Sequence, residues 1–317
     1  MKLKLKNIKN FINKKKFIVD KKIGIKNLKT KKTFERRFEI FKTNNLKNLN
    51  KRYLEFWNKN FDIKHIINLY KNSSSIIDCG CGAGNLSNSV LGLIPNNKIK
   101  LFIANDINLE NLKKINSNFI KYKFEKKFFC CEFKKLPISD NQVDLLISVG
   151  SLHHDSQPYR SLDKLVKIIK KNGHIVLWVY KKQPPIRELT DNFFRNKINK
   201  DKKFLKNIFL KDITNLAYDL KKNSKSKIII NKNLLTLGIK KGSYDFQSFI
   251  FMYLLRNTYN SILGKKFSYY ENLDWFEPEN NFTFEPNEII EYFKGKKYKI
   301  VYSKLTISGI SLVVKKT

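Results

Sequence analysis

Residues 75–87, SIIDCGCGAGNLS, set an apolar run and an aspartate directly before three glycines on alternate positions. Glycine loses more backbone freedom on folding than any other residue, so Gly80, Gly82 and Gly84 mark a loop that must turn sharply or lie against something. The rhythm that follows is as constraining as the loop. A helix is expected from Asn85, then a β-rich segment IKLFIAND at 99–106, a helix NLENLKKINSN at 108–118 and a strand KKFFCCEF at 126–133. QVDLLISVG at 142–150 reads as a further strand. YRSLDKLVKIIKKNG at 159–173 reads as an amphipathic helix with Gly173 as its C-cap, and HIVLWVY at 174–180 as the next strand. Such alternation predicts an α/β fold with a mainly parallel sheet and helices on both faces.

Around this core the pattern changes. Residues 1–48 read as a basic N-terminal extension, a lysine-rich tail that is disordered or loosely docked. Tyr53, Phe56, Trp57, Phe61, Ile66, Leu69 and Tyr70 recur at helical intervals, which predicts one or two helices opening a core over 49–185. Pro184 and Pro185 end the alternation, and 186–285 reads as a helical, aromatic insertion serving as an acceptor-binding or lid region. Residues 286–317 then supply a helix and the strands that complete the core.

The formal net charge of +37 raises nucleic acid as a partner, because basic surfaces bind phosphates by counterion release. Only seven of the 64 basic residues are arginine, however, and Arg is the preferred reader of phosphates and base edges. The abundance of Lys, Asn and Ile is what an AT-rich genome yields, so codon bias is the favoured account of the charge. Nucleic acid and peripheral contact with an acidic membrane both stay open. No stretch has the roughly 18 apolar residues needed to span a bilayer. The cysteines, Cys79, Cys81, Cys130 and Cys131, lack zinc-finger spacing and read as buried, reduced residues of a cytoplasmic chain. Nothing in the spacing calls for a metal.

A strand, a glycine turn and a helix make a nucleotide-type site, since small residues let a ligand approach the backbone where the helix starts. The NAD fingerprint G-x-G-x-x-G is not met: Asn85 stands where glycine or alanine is required, and Asp78 where NAD loops are apolar. A carboxylate at 78 suits a cationic ligand group better than a pyrophosphate.

The order D-x-G-x-G-x-G resembles motif I of class I S-adenosylmethionine-dependent methyltransferases. CEFKKLPISDNQVDLLISVGSLHH and LDKLVKIIKKNGHIVLWVY are similar to the blocks that follow it in that family. DWFEPENNFTFEPNEIIEYFKGKKYKI is similar to the C-terminal segment of bacterial type 11-like members that carry LHH and WVY blocks. The resemblance implies a Rossmann-like, seven-stranded sheet with an N-terminal extension and an insertion before the last two strands. It also implies S-adenosylmethionine as cofactor. On that alignment Gly80 and Gly82 pass under the methionine and ribose, and Gly84 lets the helix pack. Asp78 faces the ligand amino group, Asp106 accepts from the ribose hydroxyls, and Glu132 accepts from the adenine amino group beside Phe133. Cys81, Ile107 and Val149 complete the cofactor site. Glu132, Cys131 and Asn172 depart from the usual Asp, Gly and Pro.

His154 is the candidate base for an oxygen or nitrogen acceptor, since imidazole takes a proton near neutral pH. His153, Trp275 and Glu277 are candidate substrate contacts, with Asp274 beside them. The expected reaction is in-line displacement at a sulfonium methyl by a small-molecule acceptor, such as a saccharide or lipid-linked precursor. Alignment of the reactants can lower such a barrier by about 7 to 11 kcal/mol. An RNA (tRNA) methyltransferase, and a non-catalytic cofactor-binding scaffold on the same fold, are the alternatives.

Overall fold

The computed structural model describes residues 3–14, 16–24, 27–28, 31–32, 46–222, 226–261 and 264–317. The chain divides into two units, residues 1–181 with 282–317, and residues 182–281.

In the first unit the strands β1 (Phe11–Lys14), β2 (Phe17–Asp20), β3 (Ser75–Cys79), β4 (Leu101–Asp106) and β5 (Glu125–Cys130) come first. Then follow β6 (Val143–Val149) and β7 (Ile169–Tyr180). The second unit holds β8 (Lys227–Ile230) and β9 (Gly242–Asp245), and the chain returns to the first with β10 (Tyr298–Leu305) and β11 (Gly309–Lys316). The large sheet has nine strands in the order β1-β2-β5-β4-β3-β6-β7-β11-β10. The run from β2 to β7 is parallel, while β1, β11 and β10 join antiparallel.

Helices α1 (Leu46–Asn60), α2 (Ile63–Asn72), α3 (Asn85–Leu91), α4 (Leu109–Asn118) and α5 (Pro158–Ile168) connect these strands. Every residue of β3 and β4 is buried, as expected of parallel strands covered on both faces. Successive residues point to opposite faces and so join different clusters. Ile77, Leu101, Ile103 and Leu146 pack with Leu162 and Leu165 of α5, whereas Ile76, Phe102, Ala104 and Leu145 pack with Trp57, Tyr70, Val90 and Ile115. Fully burying such a side chain contributes roughly 1.5–3 kcal/mol, so the two clusters dominate the stability of this unit.

The seven expected strands are present as β5-β4-β3-β6-β7-β11-β10. Two expectations are corrected. The N-terminal extension is not simply a loose tail, because part of it adds two strands at the β5 edge. β2 pairs with β5 through Phe17–Phe128, Ile18–Phe129 and Val19–Cys130, and β1 folds back on β2. Pairing covers the otherwise open edge of β5, and the outermost strand β1 is short and mostly exposed, as edge strands commonly are. Gly173 is also not a helix C-cap. α5 ends at Ile168, β7 begins at Ile169, and a register shift against β6 takes up residues 170–173 with Asn172 in the left-handed region at φ 64°.

In the second unit, helices α6 (Pro185–Lys200), α7 (Leu210–Lys222), α8 (Phe246–Tyr253) and α9 (Gly264–Phe276) accompany the β8–β9 hairpin. Ile198, Leu210, Ile213, Ala217, Trp275 and Phe276 are buried there. The unit ends before Phe282, whose backbone N–H donates to His153 O at 2.8 Å, and Phe284 likewise bonds Tyr180 O at 2.9 Å within the first unit. α10 (Pro286–Gly295) then leads into β10.

Candidate active site

The strand order reverses between β3 and β6, and ligands of open α/β sheets bind beyond the carboxyl ends of the strands at such a point. A cleft open to solvent lies there. Gly80, Gly82, Asp106, Ile107, Asn108, Asn111, Phe133, Gly150, Ser151, His154 and Asp155 line it, with Asn27 and Lys31.

The glycine loop is shaped by geometry that only glycine takes readily. Gly80, Gly82 and Gly84 have φ of 72°, 53° and 78°. A Cβ on Gly80 would lie 2.2 Å from Ser151 Cβ, so the loop can approach the end of β6 only without a side chain. A Cβ on Gly84 would lie 2.5 Å from Ile115, which explains how α3 packs against α4. The amides of Gly80 and Cys81 donate to Asn105 O at 2.7 and 3.1 Å, anchoring the loop to β4.

Asp106 closes β4 with its carboxylate at the cleft. Gly82 N donates to Oδ2 at 2.9 Å, while Asn108 N and Asn111 Nδ2 donate to Oδ1 at 2.8 and 3.3 Å. Burial raises its pKa and these donors oppose the rise. Asn111 Oδ1 is buried without a hydrogen-bond partner among the described residues, an acceptor left for a ligand donor.

Across the cleft, Ser151 Oγ donates to Cys79 O at 2.7 Å and ties the turn after β6 to the end of β3. His154 follows in a short 3-10 turn, its backbone N–H bonded to Ser151 O at 3.0 Å. Its ring lies against Tyr180 with centroids 5.5 Å apart. Asp155 accepts from Gln157 N at 2.7 Å and Ser161 Oγ at 2.9 Å, and burial raises its pKa.

The sequence profile of the methyltransferase-domain family matches residues 77–177, the span from β3 to β7 that builds this cleft. Residues 77–177 are a methyltransferase domain. An uncharacterised protein of Methanocaldococcus jannaschii is 29% identical over 120 residues, which are 38% of this chain and 47% of that protein. The chain thus spans about half the length of that curated relative. Among solved structures, the 1,6-didemethyltoxoflavin-N1-methyltransferase of Burkholderia thailandensis, with bound 1,6-didemethyltoxoflavin and S-adenosylhomocysteine, is 9% identical with a TM-score of 0.46. The alignment covers 94% of this chain and 93% of that one. An S-adenosylmethionine-dependent methyltransferase of Clostridium acetobutylicum is 13% identical with a TM-score of 0.43, over 90% of this chain and 98% of that one.

S-adenosylmethionine is the methyl donor that the match to a methyltransferase domain implies. The methyltransferase cleft fits that donor in three respects. Bare backbone at Gly80 and Gly82 gives it room, the Asp106 carboxylate and the orphan Asn111 oxygen can accept from a sugar diol, and Ile107 and Phe133 offer apolar walls.

Of the residues assigned to the donor from sequence, Gly80, Gly82, Asp106, Ile107 and Phe133 line the methyltransferase cleft. Asp78, Cys81, Gly84, Glu132 and Val149 do not. Asp78 is buried behind the loop, where Ser87 Oγ donates to its Oδ2 at 2.5 Å and Tyr70 shares a 2.9 Å bond with Ser87. Burial pushes its carboxyl up to about 7, against the pull of the Ser87 hydrogen bond. Cys81 is buried beside it, and Gly84 caps α3. Val149, half-buried, packs on the cluster shared with Trp57 and Ile115.

Glu132 is 1% exposed in its side chain and is occupied by the chain's own N-terminal segment rather than brought to the cleft. Gly24 N and Asn27 Nδ2 donate to its Oε1 at 2.9 and 2.7 Å, and Lys134 and Lys135 stand 3.6 and 3.5 Å from its Oε2. Burial alone would raise its pKa, but these partners together hold it below the ordinary value. The same segment puts Asn27 and Lys31 on the cleft wall, which the sequence did not reveal because a lysine-rich lead-in carries no periodicity. Asn108, Asn111, Gly150, Ser151 and Asp155 were also missed. Each lies within five residues of an assigned residue, so adjacency to Asp106 and His154 was the available signal.

The two histidines part company. His154 lines the cleft, whereas His153 is fully buried and stacked on Tyr180 with centroids 3.6 Å apart. Neither His153 ring nitrogen has a hydrogen-bond partner among the described residues, and burial, then the neighbouring His154, pushes its pKa well down. Trp275 and Glu277 are buried within the second unit, and Asp274 is half-buried there. Trp275 Nε1 donates to Asp191 Oδ2 at 2.8 Å.

Proposed function

We propose that the chain transfers the methyl group of S-adenosylmethionine to a small-molecule acceptor by in-line displacement, with a saccharide or lipid-linked precursor as the acceptor class. The donor supplies an electrophilic methyl carried on a sulfonium. The observation that carries the reading is a single cleft whose lining brings the glycine loop and Asp106 together with His154. In this account Gly80 and Gly82 admit the donor to bare backbone, Asp106 fixes its sugar, and Ile107 and Phe133 exclude water from its ring. His154 takes the acceptor's proton where the acceptor atom carries one. Catalysis then rests mainly on alignment.

A second reading, methylation of RNA, is favoured by one feature. Lys21, Lys22, Lys134, Lys135, Lys164 and Lys167 line one groove of the first unit, with Asp20 and Asp163 as its acids. Burial, and then the nearby Lys6, lowers the Lys164 pKa to about 8. Radiolabelled S-adenosylmethionine incubated with fractionated small molecules, lipids and RNA separates the readings. Label in a small-molecule or lipid fraction supports the first. Label in RNA alone overturns it, and donor binding with no label anywhere points to a non-catalytic scaffold.

A further inference from the structure

Three of the chain's seven arginines meet one indole inside the second unit. The guanidinium carbons of Arg187, Arg195 and Arg256 lie 5.3, 4.8 and 4.5 Å from the Trp275 ring centroid, and Arg187 and Arg256 also face Phe251 at 4.8 and 5.4 Å. Arg195 is anchored by its own bonds, Nε to Trp275 O and Nη1 to Asn192 Oδ1, each 3.2 Å. Arg187 is different. It is 0% exposed, its Nε makes a long 3.4 Å contact with Asp191 Oδ2, and Nη1 and Nη2 have no hydrogen-bond partner among the described residues.

Asp191 has little left to give. Its Oδ2 already takes the Trp275 indole N–H at 2.8 Å, and its Oδ1 takes the backbone N–H of Arg256 at 3.1 Å. The Arg256 guanidinium forms no ion pair among the described residues, and its buried Nε also lacks a partner. The Asp191 carboxylate is therefore shared among the Arg187 side chain, the Trp275 indole and the Arg256 backbone, and none of it reaches the Arg256 guanidinium. Aromatic faces recover only part of the cost of desolvating a buried cation. Free guanidinium donors in a plane match the paired oxygens of a carboxylate or phosphate.

We propose that Arg187 and Arg256, packed on Trp275 and Phe251, form a binding site for the carboxylate or phosphate group of an anionic ligand. Arg256 is half-buried and forms the side from which the anion enters, and Arg187 closes the site from within. Asp191 holds both in place through the Arg187 side chain and the Arg256 backbone.

The test uses the full chain, with inorganic phosphate and acetate titrated separately by calorimetry while Trp fluorescence is recorded. Salt is set high enough to screen the surface lysines. The expected result is saturable one-to-one binding of at least one of the two, with a fluorescence change, weakened at least tenfold in R256Q and lost in R187M. Response to acetate alone assigns a carboxylate, and response to phosphate alone a phosphate. S-adenosylhomocysteine binding by the same variants shows whether the first unit remains folded. R256Q decides the matter where R187M fails to fold. No saturable binding of either anion, or binding by R256Q as tight as that of the natural chain, overturns the proposal.

Discussion

Asp106 and Asp78 are both buried carboxylates near the glycine loop, and the structure gives them different work. Asp106 organises Gly82, Asn108 and Asn111 while facing the cleft. D106N keeps one acceptor oxygen and removes the charge. Hydrogen bonds to a charged group contribute about 1.5–3 kcal/mol, so S-adenosylhomocysteine affinity is expected to fall by roughly ten- to hundredfold with little change in fold, read by calorimetry and circular dichroism. Asp78 bears on stability. Its carboxyl is raised by burial from 3.8 to about 7, so between those pH values the folded chain holds a proton that the unfolded chain has released. Its contribution to stability is full below about pH 4 and is lost as pH rises through 7. D78N is expected to gain stability over the natural chain as pH rises from 4 to 8 in parallel urea titrations. A constant difference between the two would show that burial does not perturb this group. The aspartates themselves were legible from sequence, because position after a strand marks them. Their burial and partners were not, since Ser87 and Tyr70 reach Asp78 only once α2 and α3 are packed.

At the scale of elements, β3, α3, β4, α4 and β6 were readable because each is a short run whose apolar period matches its geometry and whose end carries glycine, asparagine or aspartate. β1 and β2 were not. FINK and FIVD are four-residue strands separated by lysines; FIVD pairs with β5 more than one hundred residues away, and FINK folds back on FIVD. Glu132 joins this extension to the domain through Gly24 and Asn27, and Lys135 adds a 2.9 Å ion pair to Asp20 at the end of β2. E132Q weakens that attachment by removing the charge. Faster hydrogen exchange over residues 17–24 and 27–28, with unchanged exchange in β3 and β4, is the expected outcome. Unaltered exchange would mean that strand pairing alone holds the segment.

At the scale of the molecule, the net charge of +37 gave two incompatible signals, codon bias and polyanion binding, and composition could not separate them. The groove lined by Lys22, Lys134 and Lys167 localises part of that charge on the methyltransferase unit. The small-molecule reading predicts that label transfer by a K22E/K167E variant stays within about twofold of the natural chain, since these residues lie outside the donor cleft. A steep loss that deepens with added salt would favour RNA instead. No helix among the described residues is long and apolar enough to cross a membrane.

The most direct measurement is isothermal titration of S-adenosylmethionine, and separately of NADH, into the intact protein. Saturable heat with one equivalent of the first, strongly reduced in D106N, and none with the second is the predicted result. Heat only with NADH, or donor binding indifferent to Asp106, would contradict the assignment of this cleft.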